Sequence, residues 1–196
     1  MAAEILAPAG GYDALVAAVR CGANAVYLGG KALNARRNAS TFSDEELREA
    51  VAYCHARNVK AYDASECACN SHADALILQD IGLVSLVRQV CPDMPMHAST
   101  QMSVQSIEGV RELEKMGFAR VVLPRELSES EIAAIAAKTD MELEYFVHGA
   151  LCMCVSGQCL MSSVLGGRSG NRGLCAQPCR LPIGVTSTGG NALPLK

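Results

Sequence analysis

Arg120-Val-Val-Leu-Pro-Arg-Glu-Leu-Ser-Glu-Ser-Glu-Ile-Ala-Ala-Ile-Ala-Ala-Lys-Thr-Asp-Met-Glu-Leu-Glu-Tyr-Phe-Val147 contains the unit from which the fold is read. Residues 120–123 are a short apolar run with two β-branched members, and residues 142–147 are a second strand-like run. Between them, residues 128–138 show helical spacing through Ile132, Ile135 and Ala136. Ser128 is a good N-cap and Glu131 stands three residues on, the spacing at which each side chain satisfies a backbone N–H beside the other. Two apolar runs joined by a crossover helix read as parallel neighbours in one sheet.

Outward from this unit the alternation repeats. Further strands are expected at residues 4–7, 25–28, 59–63, 75–78 and 96–99, with helices at 12–21, 43–57, 82–90 and 104–116. Ser43 and Glu46 form a second capping box, and Gly22, Asn58 and Gly117 stand where helices should stop. Polar residues gather just after the strands rather than before them: Asn34 and Arg36, Gln79 and Asp80, Thr100 and Gln101, Arg125 and Glu126, His148. In a parallel barrel those positions converge on one mouth. The expected fold class is therefore α/β, a TIM-like (β/α) barrel, incomplete at about seven strands where a full one takes about 250 residues. Residues 1–148 are assigned to the barrel portion, whose third crossover (residues 64–74) is at the lower limit for a parallel connection. Residues 149–182 are a cysteine-rich segment packed on the barrel, and 183–196 a truncated tail.

Composition narrows the function. Half of the 196 residues are hydrophobic and 19% are charged, enough apolar material for one core. Neither an 18-residue apolar run nor a basic-then-apolar N-terminus is present, so a cytoplasmic protein without a membrane span is expected. A net charge of -3 argues against a general polyanion binder, and aromatic residues at 4% offer no stacking platform. Local RNA recognition by a few arginines stays compatible.

Half of the ten cysteines fall within residues 144–182. In a reducing compartment that clustering favours a metal or cluster site over a disulfide framework. The spacings, Cys152-x6-Cys159, x15, Cys175-x3-Cys179, differ from the paired Cys-x2-Cys of zinc ribbons, and soft thiolates suit either an iron-sulfur cluster or zinc. Cys154, two residues from Cys152, could serve as a spare ligand but reads as a bystander. Cys21, Cys54 and Cys91 read as buried thiols on helix faces, and Cys67-Ala-Cys69 with His72 as loop residues.

The run Glu-Tyr-Phe-Val-His-Gly-Ala-Leu-Cys (144–152), with Ser-Gly-Gln-Cys-Leu-Met-Ser-Ser (156–163), Gly-Gly-Arg-Ser-Gly-Asn-Arg-Gly (166–173) and Cys-Ala-Gln-Pro-Cys-Arg-Leu-Pro (175–182), closely resembles the signature of the U32 peptidase family, the collagenase-like proteases. Leu-Ala-Pro-Ala-Gly (6–10), Ala-Val-Tyr-Leu-Gly-Gly (25–30) and His-Ala-Ser-Thr-Gln-Met (97–102) resemble its barrel motifs. The resemblance implies oxygen-independent hydroxylases carrying a 4Fe-4S cluster, some acting on a tRNA uridine or rRNA cytidine with prephenate, others on a ubiquinone precursor. It places cluster ligands at Cys152, Cys159 and Cys175, with Cys179 as the candidate fourth. Members of the family continue past the position of Lys196, so the resemblance also implies an incomplete chain, completed by a missing C-terminal portion or a protein partner.

Within that frame, Glu144 and His148 are the candidate catalytic side chains, sharing with Phe146 the inward face of the last strand. Arg36, His97, Gln101, Arg125, Arg168 and Arg172 are the candidate substrate contacts, arginine being suited to bidentate carboxylate or phosphate binding. An Arg125–Glu126 salt bridge is the bland alternative for the sixth loop. His148 four residues from Cys152 keeps a cysteine-dependent peptidase open beside the prephenate-dependent RNA hydroxylase, with an inactive fragment or partner-requiring subunit as a further alternative.

Overall fold

A computed structural model describes residues 3–30, 42–63, 72–182, 185–186 and 192–193. Its central sheet is parallel and runs in chain order: β1 (Leu6–Pro8), β2 (Ala25–Leu28), β3 (Lys60–Asp63), β4 (Ala75–Leu78), β5 (Met96–Ala98), β6 (Arg120–Val122) and β7 (Glu142–Glu144). The sheet curls into an open TIM-like barrel, so far that Glu4, just before β1, reaches Arg120 at the start of β6. β3 and β4 pair through Tyr62 and Ala75, so the third crossover is parallel as expected; most of its connection, residues 64–71, lies outside the described residues. Val185–Thr186 (β8) and Ala192–Leu193 (β9) form a small antiparallel pair.

The helices start where the caps say they should. In α2 (Asp44–His55) and α5 (Glu129–Ala136) both halves of the capping box are present, on Ser43 with Glu46 and on Ser128 with Glu131. α4 (Ile107–Lys115) starts later than residue 104, because Ser106 is its cap and accepts the Gly109 N–H, while Ser99 caps a separate single turn at Thr100–Met102. α1 (Tyr12–Arg20) ends at Gly22 with φ +90°, α4 ends before Gly117 with φ +84°, and Asn58 takes φ +56° after α2. α3 (Gly82–Val90) completes the helical layer.

Two apolar layers lie between strands and helices. Leu15, Val26, Leu28, Leu47, Val51 and Cys54 pack α1 and α2 on β2 and β3, while Leu76, Leu78, Met96, Val110, Leu113 and Val121 pack α3 and α4 on β4 to β6. Cys54 is fully buried, which pushes its thiol up to about 11. Cys21 is instead exposed and Cys91 half-buried, because both sit just past helix ends rather than on the packed face.

The inner face of the barrel is mixed. Tyr27, Tyr62 and Ala75 stand on one level by strand register, and Ile77, His97, Arg120 and Glu142 on another. β7 ends at Glu144, three residues sooner than expected: beyond the Leu123 N–H to Glu144 carbonyl bond the chain leaves the sheet and turns at Gly149, φ +135°.

Candidate functional site

At the floor of the barrel, Arg120 is buried and surrounded by carboxylates. Its guanidinium binds Glu142 at 2.6 Å and Glu4 at 2.9 Å, with Glu144 farther off at 3.4 Å. Glu4 also takes Lys60 at 3.0 Å and the Tyr62 hydroxyl at 2.8 Å. Burial opposes ionisation of Glu4, but the hydrogen bonds from Lys60, Tyr62 and Arg120 outweigh it and hold the carboxyl at about 2. The Tyr62 ring meets His97 edge-on at 4.8 Å. Burial and the Arg120 charge push His97 down to about 3, so it is a neutral imidazole. Its Nδ1 has no hydrogen-bond partner among the described residues. His97 thus lies inside the barrel and not in the wall of the mouth pocket, because it is on β5 itself and not in the loop that follows.

Above this floor, at the carboxyl ends of the strands, a cavity of about 310 Å³ opens. Tyr27, Ile77 and Val122 form its apolar base, and Gln101, Arg125, Glu144 and Phe146 contribute side chains to its wall. Arg125 lies over the Phe146 ring at 4.0 Å. Burial raises the Glu144 carboxyl above its usual range, against the pull of Arg120. The Gln101 side-chain oxygen is buried without a hydrogen-bond donor among the described residues.

The remaining wall is the cysteine segment, held down by several ties. Glu126 accepts from both the backbone N–H and the hydroxyl of Ser156, so the expected alternative of an Arg125–Glu126 pair gives way to an anchor. Ser103 donates to the Ser156 carbonyl at 2.6 Å, and Gln79 donates to the Asn171 carbonyl at 2.8 Å. Gly157, with φ +78°, presses on the turn after β5, where a Cβ would run into the Gln101 carbonyl. Farther along, α6 (Met161–Gly166) is tied in through Ser162, which accepts the Ala176 N–H at 2.9 Å, and Arg180 binds the Leu151 carbonyl at 2.6 Å.

This docking brings Cys152, Cys159 and Cys175 into the wall of one pocket with Glu144, Gln101 and Arg125. Cys179, in the single turn Pro178–Arg180, is not in that wall. Among the described residues no three His, Cys, Asp or Glu side chains already stand at the spacing of one bound metal ion. Three soft sulfur donors around a partly apolar cavity nevertheless fit the donor chemistry of an iron-sulfur cluster. His148 is exposed and outside the pocket, since the early end of β7 breaks the alternation that would have turned it inward; no hydrogen bond joins it to Cys152 or Glu144 among the described residues. Arg168 and Arg172 are exposed, flanking Gly170 and Asn171 of the pocket wall, and Arg36 lies outside the described residues.

The whole arrangement, barrel mouth and cysteine segment together, matches one family model, that of peptidase family U32, over residues 10–71 and 66–190. The chain belongs to peptidase family U32. Among curated relatives, this U32 chain is 41% identical over 197 residues to the 23S rRNA 5-hydroxycytidine C2501 synthase of Escherichia coli, covering 91% of the chain and 29% of that protein. It is 36% identical over 209 residues to tRNA hydroxylation protein P1 of Bacillus subtilis (98% and 50%) and 32% identical over 205 residues to a collagenase of Porphyromonas gingivalis (90% and 49%). The chain therefore spans half or less of these relatives' length. The solved structure of the U32 peptidase Mk0906 superposes with a TM-score of 0.60 at 16% identity, over 74% of this chain and 68% of that one, which supports the fold.

Proposed function

We propose that this U32 chain carries the barrel portion of an RNA-base hydroxylase that holds a 4Fe-4S cluster on Cys152, Cys159 and Cys175 and takes prephenate as co-substrate. The observation that carries the reading is the gathering of those three thiols in the wall of one pocket, in a chain 36–41% identical to proteins named for rRNA and tRNA hydroxylation. When bound, the cluster would supply one-electron redox chemistry.

The chain's own residues do the rest. Arg125, fixed over Phe146, binds a carboxylate of the co-substrate, for which the guanidinium fork is shaped. Gln101 accepts a hydrogen bond from a donor group of the bound molecule, which would satisfy its buried oxygen. Glu144 holds or releases a proton at its carboxyl, because burial has raised it above its usual range and Arg120 keeps it in place. Tyr27, Ile77 and Val122 exclude water from the base of the cavity. Arg168 and Arg172, exposed beside the pocket, contact RNA phosphate. Activity in the cytoplasm, with reduced thiols and RNA at hand, belongs to the same reading; no helix among the described residues is long and apolar enough to cross a membrane.

The test is anaerobic reconstitution with iron and sulfide, then incubation with RNA and prephenate and mass spectrometry of the nucleosides. Bound iron and a base gaining one oxygen support the reading. A protein that stays free of iron sinks it. Gelatin cleavage that disappears in Cys152→Ala and persists without iron would put the peptidase reading, the activity named for the Porphyromonas relative, in its place.

A further inference from the structure

Charge is unevenly distributed along this chain. All 20 Asp and Glu lie at or before Glu144, whereas beyond it stand Arg168, Arg172, Arg180 and Lys196 with no acidic residue. Such asymmetry marks a surface for a polyanion even where the net charge, -3 here, is negative. The three arginines are exposed, and none of them enters an ion pair among the described residues, unlike Lys60, Lys115 and Arg120. Two acidic side chains follow strands at the same mouth and both are engaged: Asp80 accepts the Gly82 N–H at 2.7 Å, and Glu126 holds Ser156. Aliphatic side chains stand exposed beside the arginines. The Arg180 bond to the Leu151 carbonyl gathers Leu151, Arg180 and Leu181, the two leucines 63% and 66% exposed. Val164 and Leu165, at 80% and 67%, lie in the last turn of α6, and Arg168 folds back there with its backbone N–H on the Ser162 carbonyl at 3.1 Å. α6 packs against the turn Pro178–Arg180, so the two patches adjoin. Gly170 and Asn171, between Arg168 and Arg172, are part of the pocket wall and carry the strip to the mouth.

We propose that this acid-free face of the cysteine segment is the docking surface for an unpaired stretch of RNA, with phosphates on Arg168, Arg172 and Arg180 and base faces on the aliphatic side chains beside them. The proposal rests on the RNA-modifying reading above and adds to it the kind of RNA and the apolar half of the contact. Charge complementarity selects a polyanion, and the exposed aliphatics select an unpaired one. An A-form duplex keeps its base faces stacked inside and offers a protein phosphates and 2′-hydroxyls, so against it Leu151, Val164, Leu165 and Leu181 would stay idle. Unpaired bases can lie against apolar side chains and guanidinium planes. With no tryptophan and only 4% aromatic residues, the chain has no aromatic platform to serve in their place. A base that reaches the cavity at the end of the strip has to leave its stack, which costs least in a single strand. The acidic remainder of the chain repels phosphate and confines the strand to this face.

Wild type, the double variant Arg168→Gln with Arg172→Gln, and the double variant Val164→Ser with Leu165→Ser are titrated against a labelled single-stranded RNA of mixed sequence and the same strand paired with its complement, read by fluorescence anisotropy. Vesicles of phosphatidylglycerol and phosphatidylcholine form a further arm, read by flotation. All four altered residues are exposed, and far-UV circular dichroism checks that the variants fold; Arg180 is left in place because its bond to Leu151 shapes the face. Three phosphate contacts on a single strand predict binding about 20-fold weaker at about 200 mM salt than at about 50 mM, and only about threefold weaker in the arginine variant, which keeps one contact. The aliphatic variant is expected to bind more weakly at every salt concentration with the wild-type salt slope. Duplex bound as tightly as single strand, a wild-type salt slope in the arginine variant, or vesicles bound in place of RNA overturns the proposal. Nucleoside mass spectrometry and iron analysis separate the two claims. Base oxygenation by a protein whose RNA binding ignores both variants keeps the hydroxylase reading and removes this face, whereas single-strand binding with the expected variant effects in a wild type that takes up no iron keeps the face and removes the iron-sulfur reading.

Discussion

Arg120 is the residue on which the barrel interior depends, since Glu4, Glu142 and Glu144 all turn toward it. Removing a buried partner leaves uncompensated charge, which costs about 3–5 kcal/mol. Arg120→Gln is therefore expected to lower the unfolding free energy by an amount in that range, read from urea unfolding curves, and to free Glu144 from the position it holds in the pocket wall. Gly157 is the second sensitive residue. Its left-handed φ and its contact with the Gln101 carbonyl leave no room for a side chain, so Gly157→Ala should cost about 1–3 kcal/mol. The cysteine segment, more than the barrel, should feel that change: thiol-reagent labelling of Cys152 and Cys159 is expected to speed up while the helical circular dichroism persists. Labelling at the wild-type rate would show that Gly157 does not hold the segment down.

At the level of elements, the caps were the most informative signals. Ser128 and Glu131, like Ser43 and Glu46, do in the structure what their spacing implies, and Ser128→Ala is expected to lower stability by about 1 kcal/mol, read as a fall in the thermal midpoint. The strands were legible for a similar reason, because short apolar runs between helices have few other uses in a parallel fold. The site was less legible. Polar residues following strands identified Gln101 and Arg125 in the pocket wall, but His97 and Arg120 lie on the strands, pointing inward. His97 was named as a substrate contact but set at the mouth, and Arg120 was missed; strand parity was the signal that would have put both inside the barrel, since His97, Arg120 and Glu142 share one level by register. His148 was misplaced because alternation was carried past Glu144, where backbone pairing had already stopped. Glu126 and Gln79 were named as polar residues after strands, but their anchoring role escaped because their partners, Ser156 and the Asn171 carbonyl, are brought to them only by tertiary docking.

For the molecule as a whole, the interior charges set a pH dependence. His97 is held at about 3 against an ordinary 6.5, and Glu4 at about 2 against 4.5. Both are depressed in the fold, so each contributes stability in full above its ordinary value and loses it as pH falls toward the folded one. Glu144 is raised and works the other way, favouring the fold when protonated, so it offsets part of the acid loss. Loss should therefore begin below about 6.5, where His97 starts to contribute. His97→Phe keeps the edge contact with Tyr62 and removes the titration. Its urea midpoint is expected to vary less than wild type between about pH 7 and pH 5, and an unchanged slope would mean that His97 is not the group responsible. The bond from Glu4 to Arg120 has another consequence, in time rather than in energy. Its two ends are 116 residues apart in the chain, so during synthesis the first strand leaves the ribosome long before its partner exists. Contacts of such separation form slowly. Pulse-labelled hydrogen exchange on the refolding chain should accordingly find β1 among the last segments to gain protection, and the pace of translation becomes part of how this chain reaches its fold.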